Sequence, residues 1–282
     1  MANFSDEMID LHVHILHTLD DGPQSQAESL EMCKVAYRDG IRTVVATPHF
    51  LNGVYKNDWA TVLSRVQALN ESLRPWPFQE AKTGEARSPV SRRTGSVPQT
   101  RNSGAPFQVL PGADVHFRSD ILQLHEQGRL GTINNQGKFL LIEFSSQEIP
   151  LKAEELLFQL MTRGITPIIT HPERNYEIMR KPERYYDLIR RGCLGQLTAM
   201  SLTNEFGSEI RKFAEKLLSH RLVHLIASDA HSVNRRPPVL SASVKAAAKI
   251  VGEKEALKMV TEYPREILDG RKPTPHEPIP LR

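Results

Sequence analysis

Five histidines and three carboxylates stand where apolar runs of this chain stop: His12, His14, His49, Asp114, Glu143, His171, Asp229 and His231. Imidazole nitrogen and carboxylate oxygen, without thiolate, form a donor set for manganese, iron, magnesium or zinc. A polar residue at the end of one buried strand is a cap. The same event at the ends of six apolar runs describes one site at the rim of a barrel, where strand ends converge. Eight donors exceed the roughly three or four protein ligands that one zinc takes. They suit two or three divalent ions sharing carboxylates. Such a site activates water and clamps the attacking and leaving oxygens of a phosphoryl centre.

Spacing adds detail. His12 and His14 are two apart on an apolar run, as are Asp229 and His231, so each pair points to one face of a strand. His49 and His171 each adjoin a proline, which stops the ladder and fixes the turn. Glu143 follows Phe-Leu-Leu-Ile, and a carboxylate buried there needs a cation or a basic partner. Arg174 lies three residues past His171, and Arg236 five past His231. Either can grip phosphate oxygens with its planar fork or serve a surface ion pair. Of Asp20 and Asp21, one is expected to cap the next helix and the other to face the site as ligand or acid.

The elements that position these residues follow from periodicity. Strands are expected near residues 9–13, 43–47, 108–112, 139–144, 165–170, 194–198 and 223–228. Helices are expected over 25–39, 57–73, 151–163, 182–191, 205–219 and 239–250, with short ones near 254–261 and 264–269. Ser25 with Glu28 fits a capping box, and Gly40 is placed to stop that first helix. Strands apolar on both faces, alternating with helices, imply a parallel sheet in an α/β fold. Seven such units with ligands at successive strand ends favour a closed (β/α)7 barrel over an open sheet.

The chain has 282 residues, is 39% hydrophobic and carries a net charge of +3. That length fits one barrel or two smaller domains, and the single barrel is the expectation here. Residues 79–106 hold five basic and two acidic side chains, so the rest of the chain is balanced. This stretch is poor in large apolar residues and reads as a disordered insertion. The balanced remainder argues against nucleic acid as a partner. No apolar run approaches the roughly 18 residues of a membrane span, and the N-terminus lacks a basic-then-apolar leader. With only Cys33 and Cys193, both in apolar settings, a reducing cytoplasm is expected. The proline-rich residues 271–282 read as an extended tail. A thiolate phosphatase needs cysteine followed six positions on by arginine. Asp39 and Ala199 occupy those positions, so nucleophilic cysteine chemistry of that design is excluded.

Seven runs in order, Ile-Asp-Leu-His-Val-His, Asp-Asp-Gly, Ala-Thr-Pro-His, Leu-Pro-Gly-Ala-Asp, Leu-Leu-Ile-Glu-Phe, Thr-His-Pro-Glu-Arg-Asn and Ala-Ser-Asp-Ala-His, resemble the polymerase and histidinol phosphatase (PHP) superfamily. The segments at 52–57 and 195–202 narrow the resemblance to its bacterial capsule-type protein tyrosine phosphatases. The resemblance implies a distorted seven-stranded barrel, a manganese-type cluster and hydrolysis of phosphotyrosine on the tail of a kinase that governs exopolysaccharide export. It assigns metal-ligand roles to His12, His14, His49, Glu143, His171, Asp229 and His231. Active-site roles fall to Asp21, Arg174 and Arg236. Two features depart from the pattern: Asp114 stands where the family usually has the longer glutamate, and the insertion at 79–106 is atypical. A histidinol-phosphatase-type enzyme and a non-catalytic metal-binding regulator are the alternatives, and the oligomeric state stays open.

Overall fold

The computed structural model describes residues 7–50, 53–74 and 106–281. Among the described residues are nine strands, all paired in parallel, seven of them where strands were expected: β1 (Met8–Val13), β2 (Ile41–Ala46), β3 (His49–Phe50), β4 (Gln108–Pro111), β5 (Asp114–His116), β6 (Phe139–Glu143), β7 (Thr166–Thr170), β8 (Leu194–Thr198) and β9 (Leu225–Ala227). Two of them, β3 and β5, were not foreseen. They continue the lines of β2 and β4 after short breaks at Thr47-Pro48 and Gly112-Ala113. Pro48 has no N–H to donate, so the ladder cannot run through it. Its carbonyl accepts from Asp114 N at 3.1 Å, which carries the line into the next pairing.

The ladders form two sheets, β1-β2-β4 and β3-β5-β6-β7-β8-β9, rather than the one continuous barrel expected. The seam between β1 and β9 explains why. At its lower end the backbone of residues 259–260 intervenes: Ile9 N donates to Val260 O (2.8 Å) and Ile226 N to Met259 O (3.2 Å). At its upper end Asp229 takes a left-handed φ of 52°, which ends β9 after three residues. Contact resumes there through a parallel bridge between Val13 and Ala230, with Asp229 N on His12 O at 2.9 Å and His14 N on Ala230 O at 2.8 Å. The ends of β1 and β9 that carry site residues are therefore stitched together even though the ladder is not.

Strand interiors are buried on both faces, as the unbroken apolar runs imply. The first helix, Gln26–Asp39, shows how local sequence fixes its limits. Ser25 Oγ accepts from Glu28 N at 3.2 Å, and Gly40 stops the helix at φ 99°. The reciprocal half of the capping box is displaced by one residue, since Glu28 Oε2 accepts from Gln24 N (2.9 Å) and not from Ser25. Neither Asp20 nor Asp21 caps it, which corrects that expectation.

Helices Trp59–Leu73, Ala153–Thr162, Glu183–Arg190, Ser208–Ser219, Ser241–Val251, Glu253–Lys258 and Glu262–Leu268 match those expected. Short elements at Ile121–Glu126, Ile133–Asn135, Pro172–Arg174, Tyr176–Arg180 and Ala199–Leu202 were not read from the sequence. The insertion expected at 79–106 lies, apart from Pro106, outside the described residues. The tail from 271 is extended but not free. Lys272 Nζ donates to Gly192 O (2.8 Å), Ile279 N donates to His220 O (2.8 Å), and Leu281 packs on the core. Among the described residues no helix is long and apolar enough to cross a membrane.

Candidate metal centre

All eight expected donors meet at the ends of the strands. His12 is on β1 with His14 just beyond it, His49 opens β3, and Asp114 opens β5. Glu143 ends β6, while His171, Asp229 and His231 follow β7 and β9. Their ligand atoms, with one from Asp21, form three overlapping sets, each within 4.8 Å: His14, Asp21, His49 and His231; His12, His14 and Asp114; His49, Asp114 and Glu143. His171 and Asp229 flank these sets. His171 Nε2 is 3.5 Å from Glu143 Oε1, and Asp229 Oδ1 is 3.5 Å from His12 Nε2 and 3.6 Å from His14 Nε2.

Three imidazoles have their tautomers fixed from behind. Gln196 donates its amide to Leu197 O (3.1 Å), which turns Oε1 toward His12 Nδ1 at 2.7 Å. Asp20 Oδ2 accepts from His14 Nδ1 at 2.7 Å, and Asp229 O from His231 Nδ1 at 2.9 Å. Each acceptor puts a ring proton on Nδ1, so that in the neutral ring Nε2 carries the lone pair. The Nε2 atoms of His12 and His14 face each other at 3.2 Å inside the protein, a separation that calls for a cation or a shared proton between them. Both oxygens of Asp114, which is 1% exposed, and Nδ1 of His49 also lack a hydrogen bond among the described residues. Buried, unpaired donors of these types fit divalent ions and are costly otherwise.

Electrostatics divide the histidines, with the carboxylates drawing positive charge into the cluster. Burial, with His231 stacked on it at 3.8 Å between ring centroids, lowers His14 to about 4 and keeps it neutral. Burial works against protonation of His49 too, but the carboxylates of Asp114, Glu143 and Asp20 outweigh it and raise the group to about 9. His231 beside Asp21 brings that carboxyl down to about 2. Burial opposes ionisation of Glu143, yet His116, His171 and His49 hold it well below the usual carboxylate range. Asp229 resists burial in the same way, through Arg174, His12 and Arg236.

The two arginines sit differently from the phosphate grips anticipated for them. Arg174 Nη2 and Arg236 Nη2 both contact Asp229 Oδ2, each at 2.5 Å. Oδ1 is left turned toward the histidines. The Nε atoms of both arginines are buried without a hydrogen-bond partner among the described residues, while the side chains are 20% and 27% exposed, so each guanidinium keeps an accessible part. Asp21, expected to act on substrate, lies 3.4 Å from His231 Nε2 and 3.6 Å from His49 Nε2 with its side chain half exposed, a ligand-like position.

Gln196, His116 and Glu173 were not read as parts of the site, and Asp20 was read only as one of two aspartates of which one would face it. Asp20 is buried and receives His14 Nδ1, His49 N (3.0 Å) and Gly22 N (3.0 Å), so it orients two donors at once. A glutamine between glycine and leucine in an apolar run was the available signal for Gln196. His116, two past Asp114 and so on the same strand face, has Nδ1 3.6 Å from Glu143 Oε2. Two site residues carry backbone strain. His171 (φ 36°) and Asp229 (φ 52°) are non-glycine residues in the left-handed region, at roughly 1–3 kcal/mol each. A pocket of about 230 Å³ opens beside Glu143, His171 and Arg174, walled by Phe144, Pro172 and Ile178.

Known proteins with this sequence pattern point the same way. Tyrosine-protein phosphatase YwqE of Bacillus subtilis is 37% identical over 229 residues, covering 81% of this chain and 79% of that protein. Putative tyrosine-protein phosphatase CapC of Staphylococcus aureus is 35% identical over 233 residues, covering 83% and 80%. A solved structure from work on YwqE of Bacillus subtilis and CpsB of Streptococcus pneumoniae, described as unique metal-dependent tyrosine phosphatases, superposes with a TM-score of 0.84. It shares 33% identity and covers 98% of this chain and 100% of that one. The model of the capsular polysaccharide synthesis family CpsB/CapC matches residues 8–79 and 77–269, nearly the whole described fold, and the chain belongs to that family.

Proposed function

We propose that this chain is a metal-dependent protein tyrosine phosphatase acting on a phosphotyrosine-bearing protein, the tail of a bacterial tyrosine kinase that controls capsule or exopolysaccharide synthesis. The observation that carries the reading is the pair of imidazole nitrogens, His12 Nε2 and His14 Nε2, facing each other at 3.2 Å beside the buried Asp114 carboxylate, which has no hydrogen bond among the described residues. His12, His14, His49, Asp114, Glu143, His171, Asp229 and His231, joined by Asp21, would hold two or three divalent ions, manganese being favoured over iron, magnesium or zinc. Bound there, such ions supply an activated water and neutralise charge on the phosphoryl oxygens. The residues of the chain do the rest. Asp20 and Gln196 hold two imidazoles in the tautomer that presents Nε2. Arg174 and Arg236 offer their free N–H groups to the phosphate as charge builds on it. We read the two sheets as one distorted seven-stranded barrel in a single domain, working in the cytoplasm, where buried thiols stay reduced.

The experiment is a substrate comparison on metal-loaded protein. Phosphotyrosine peptides are expected to turn over at least tenfold faster than histidinol phosphate at equal concentration. The reverse order would make the chain a small-molecule phosphatase. Bound metal with turnover of neither would make it a regulator.

Asp114 supports a second test. One methylene shorter than glutamate, it places its oxygens about 1.5 Å further back. The structure nonetheless puts Oδ2 3.4 Å from His49 Nδ1 and 3.7 Å from His12 Nε2, within the cluster. Asp114→Asn is expected to lower metal occupancy and turnover together, by about tenfold or more. Asp114→Glu is expected to keep both. Metal analysis beside initial rates decides, and an Asn variant with unchanged metal content and rate would remove Asp114 from the ligand set.

A further inference from the structure

The segment at 195–202 is one of those that carry the resemblance drawn from the sequence, yet the end of β8 contributes none of the eight expected donors. It makes connections instead. Gln196 O accepts from His171 N (2.8 Å), and Gln196 Oε1 takes the Nδ1 proton of His12. Two residues on, the first turn of helix Ala199–Leu202 receives the side chain of Glu173. Glu173 Oε1 accepts from Thr198 N at 3.0 Å and from Ser201 Oγ at 2.6 Å. Glu173 is fully buried, and its Oε2 has no hydrogen-bond partner among the described residues. A carboxyl group placed so is expensive to keep, and its neighbours suggest why it is kept. It lies between His171, whose backbone is strained, and Arg174 in the single turn Pro172–Arg174. Beyond the same helix, Phe206 presents its ring to the Arg174 guanidinium at 5.2 Å from the centroid.

We propose that Glu173 is a positioning residue: its latch onto Thr198 and Ser201 fixes the turn that carries Arg174 and so aims the guanidinium at the phosphate. A turn of three residues has little cohesion of its own, since it holds one or two hydrogen bonds. Arg174 N donates to His171 O at 3.0 Å, and the latch adds to the His171 N bond on Gln196 O a second tie to the end of β8. Thr198 to Phe206 thereby form a cradle with a carboxyl-binding turn on one side and an aromatic face on the other. A misplacement of about 1 Å in a group that contacts the transition state can cost roughly a hundredfold in rate. The role of Arg174 in this account rests on the phosphatase reading.

A double-mutant cycle tests it. Ser201→Ala, Glu173→Ala and Glu173→Gln are made in the parent and in Arg174→Ala. Three quantities are read on metal-loaded protein: kcat and KM on a phosphotyrosine peptide, affinity for inorganic phosphate by calorimetry, and bound metal. In the parent, Glu173→Ala is expected to lower kcat/KM and phosphate affinity by about tenfold or more, and Ser201→Ala by several-fold, with metal content unchanged. Glu173→Gln keeps an accepting oxygen and is expected to retain most of both. In Arg174→Ala the same changes are expected to cost almost nothing, because the residue they position is gone. Equal losses with and without Arg174, or equal losses in Gln and Ala, would overturn the proposal in favour of a general packing role. Loss of metal in Ser201→Ala would assign the latch to His171 instead. Should Glu173→Ala fail to fold, Ser201→Ala carries the cycle, since it deletes one oxygen. A parent with no peptide turnover would refute the phosphatase reading alone, and the phosphate-affinity arm would still decide the positioning claim.

Discussion

Protein stripped of divalent ions is expected to lose phosphotyrosine turnover by about a thousandfold or more, and added manganese to restore it. The size follows from what has to be replaced. Charge stabilisation by a bound ion is worth several kcal/mol, and about 4 kcal/mol corresponds to roughly a thousandfold in rate. Among the described residues, cysteine chemistry supplies no equivalent. Cys33 and Cys193 are buried, and burial pushes both thiols up, Cys193 to about 12, so neither is a thiolate near neutrality. The double variant Cys33→Ser with Cys193→Ser is accordingly expected to stay active. The measurement is peptide turnover against metal content by elemental analysis, before and after chelation, with manganese, iron, magnesium and zinc added back separately. Full activity in thoroughly metal-free protein would sink the reading, whatever the geometry of the cluster.

Arg174→Ala is expected to lower turnover by about 30- to 1000-fold while bound metal stays near the parent level. A charge-assisted contact that tightens in the transition state contributes roughly 2–4 kcal/mol. The structure adds a reason for metal to stay. Arg174 and Arg236 share one oxygen of Asp229, so Arg236 still secures that carboxylate when Arg174 is gone, and Oδ1 keeps its outlook on His12 and His14. Arg174→Lys is expected to recover little, because a point charge cannot hold Asp229 with one nitrogen and present a second donor in the same plane. Steady-state rates with parallel metal analysis settle the matter. A loss of less than threefold would confine Arg174 to the Asp229 ion pair.

The sequence disclosed the donors better than it disclosed their support. His12, His14, His49, Asp114, Glu143, His171, Asp229 and His231 were legible because a charged or imidazole side chain ending an apolar run contradicts its surroundings, and the contradiction recurs strand after strand. The Asp-Asp-Gly turn left open which of Asp20 and Asp21 faces the site, and Gln196 was not legible, since a lone glutamine carries no periodicity. Their roles are set by partners 29 and 184 residues away, His49 and His12. The anticipated continuous barrel failed at the β1–β9 seam for a similar reason. Residues 259–260 have no strand pattern, yet their carbonyls occupy the place of a ladder. The breaks after β2 and β4 were foreshadowed by Pro48 and Gly112, but only as strand ends, not as points where a chain passes from one sheet to the next. The short helix Ala199–Leu202 was missed because its four residues make barely one turn, too few to show a repeat.

Gly195, in the middle of β8, fixes what natural variation can do to this protein. A β-carbon there would lie 2.2 Å from Tyr185 Oη and 2.6 Å from Leu222 O, two atoms that are themselves joined by a 2.8 Å hydrogen bond. No side chain can enter without parting that bond or displacing the strand, and the strand is the rail from which His12, His171 and Glu173 are hung. Turns whose glycines meet nothing within 4 Å, such as those at Gly128 and Gly207, can vary in the space around them. This position cannot, so across any set of descendants it should behave as a fixed point that registers loss of the chemistry before any ligand has changed.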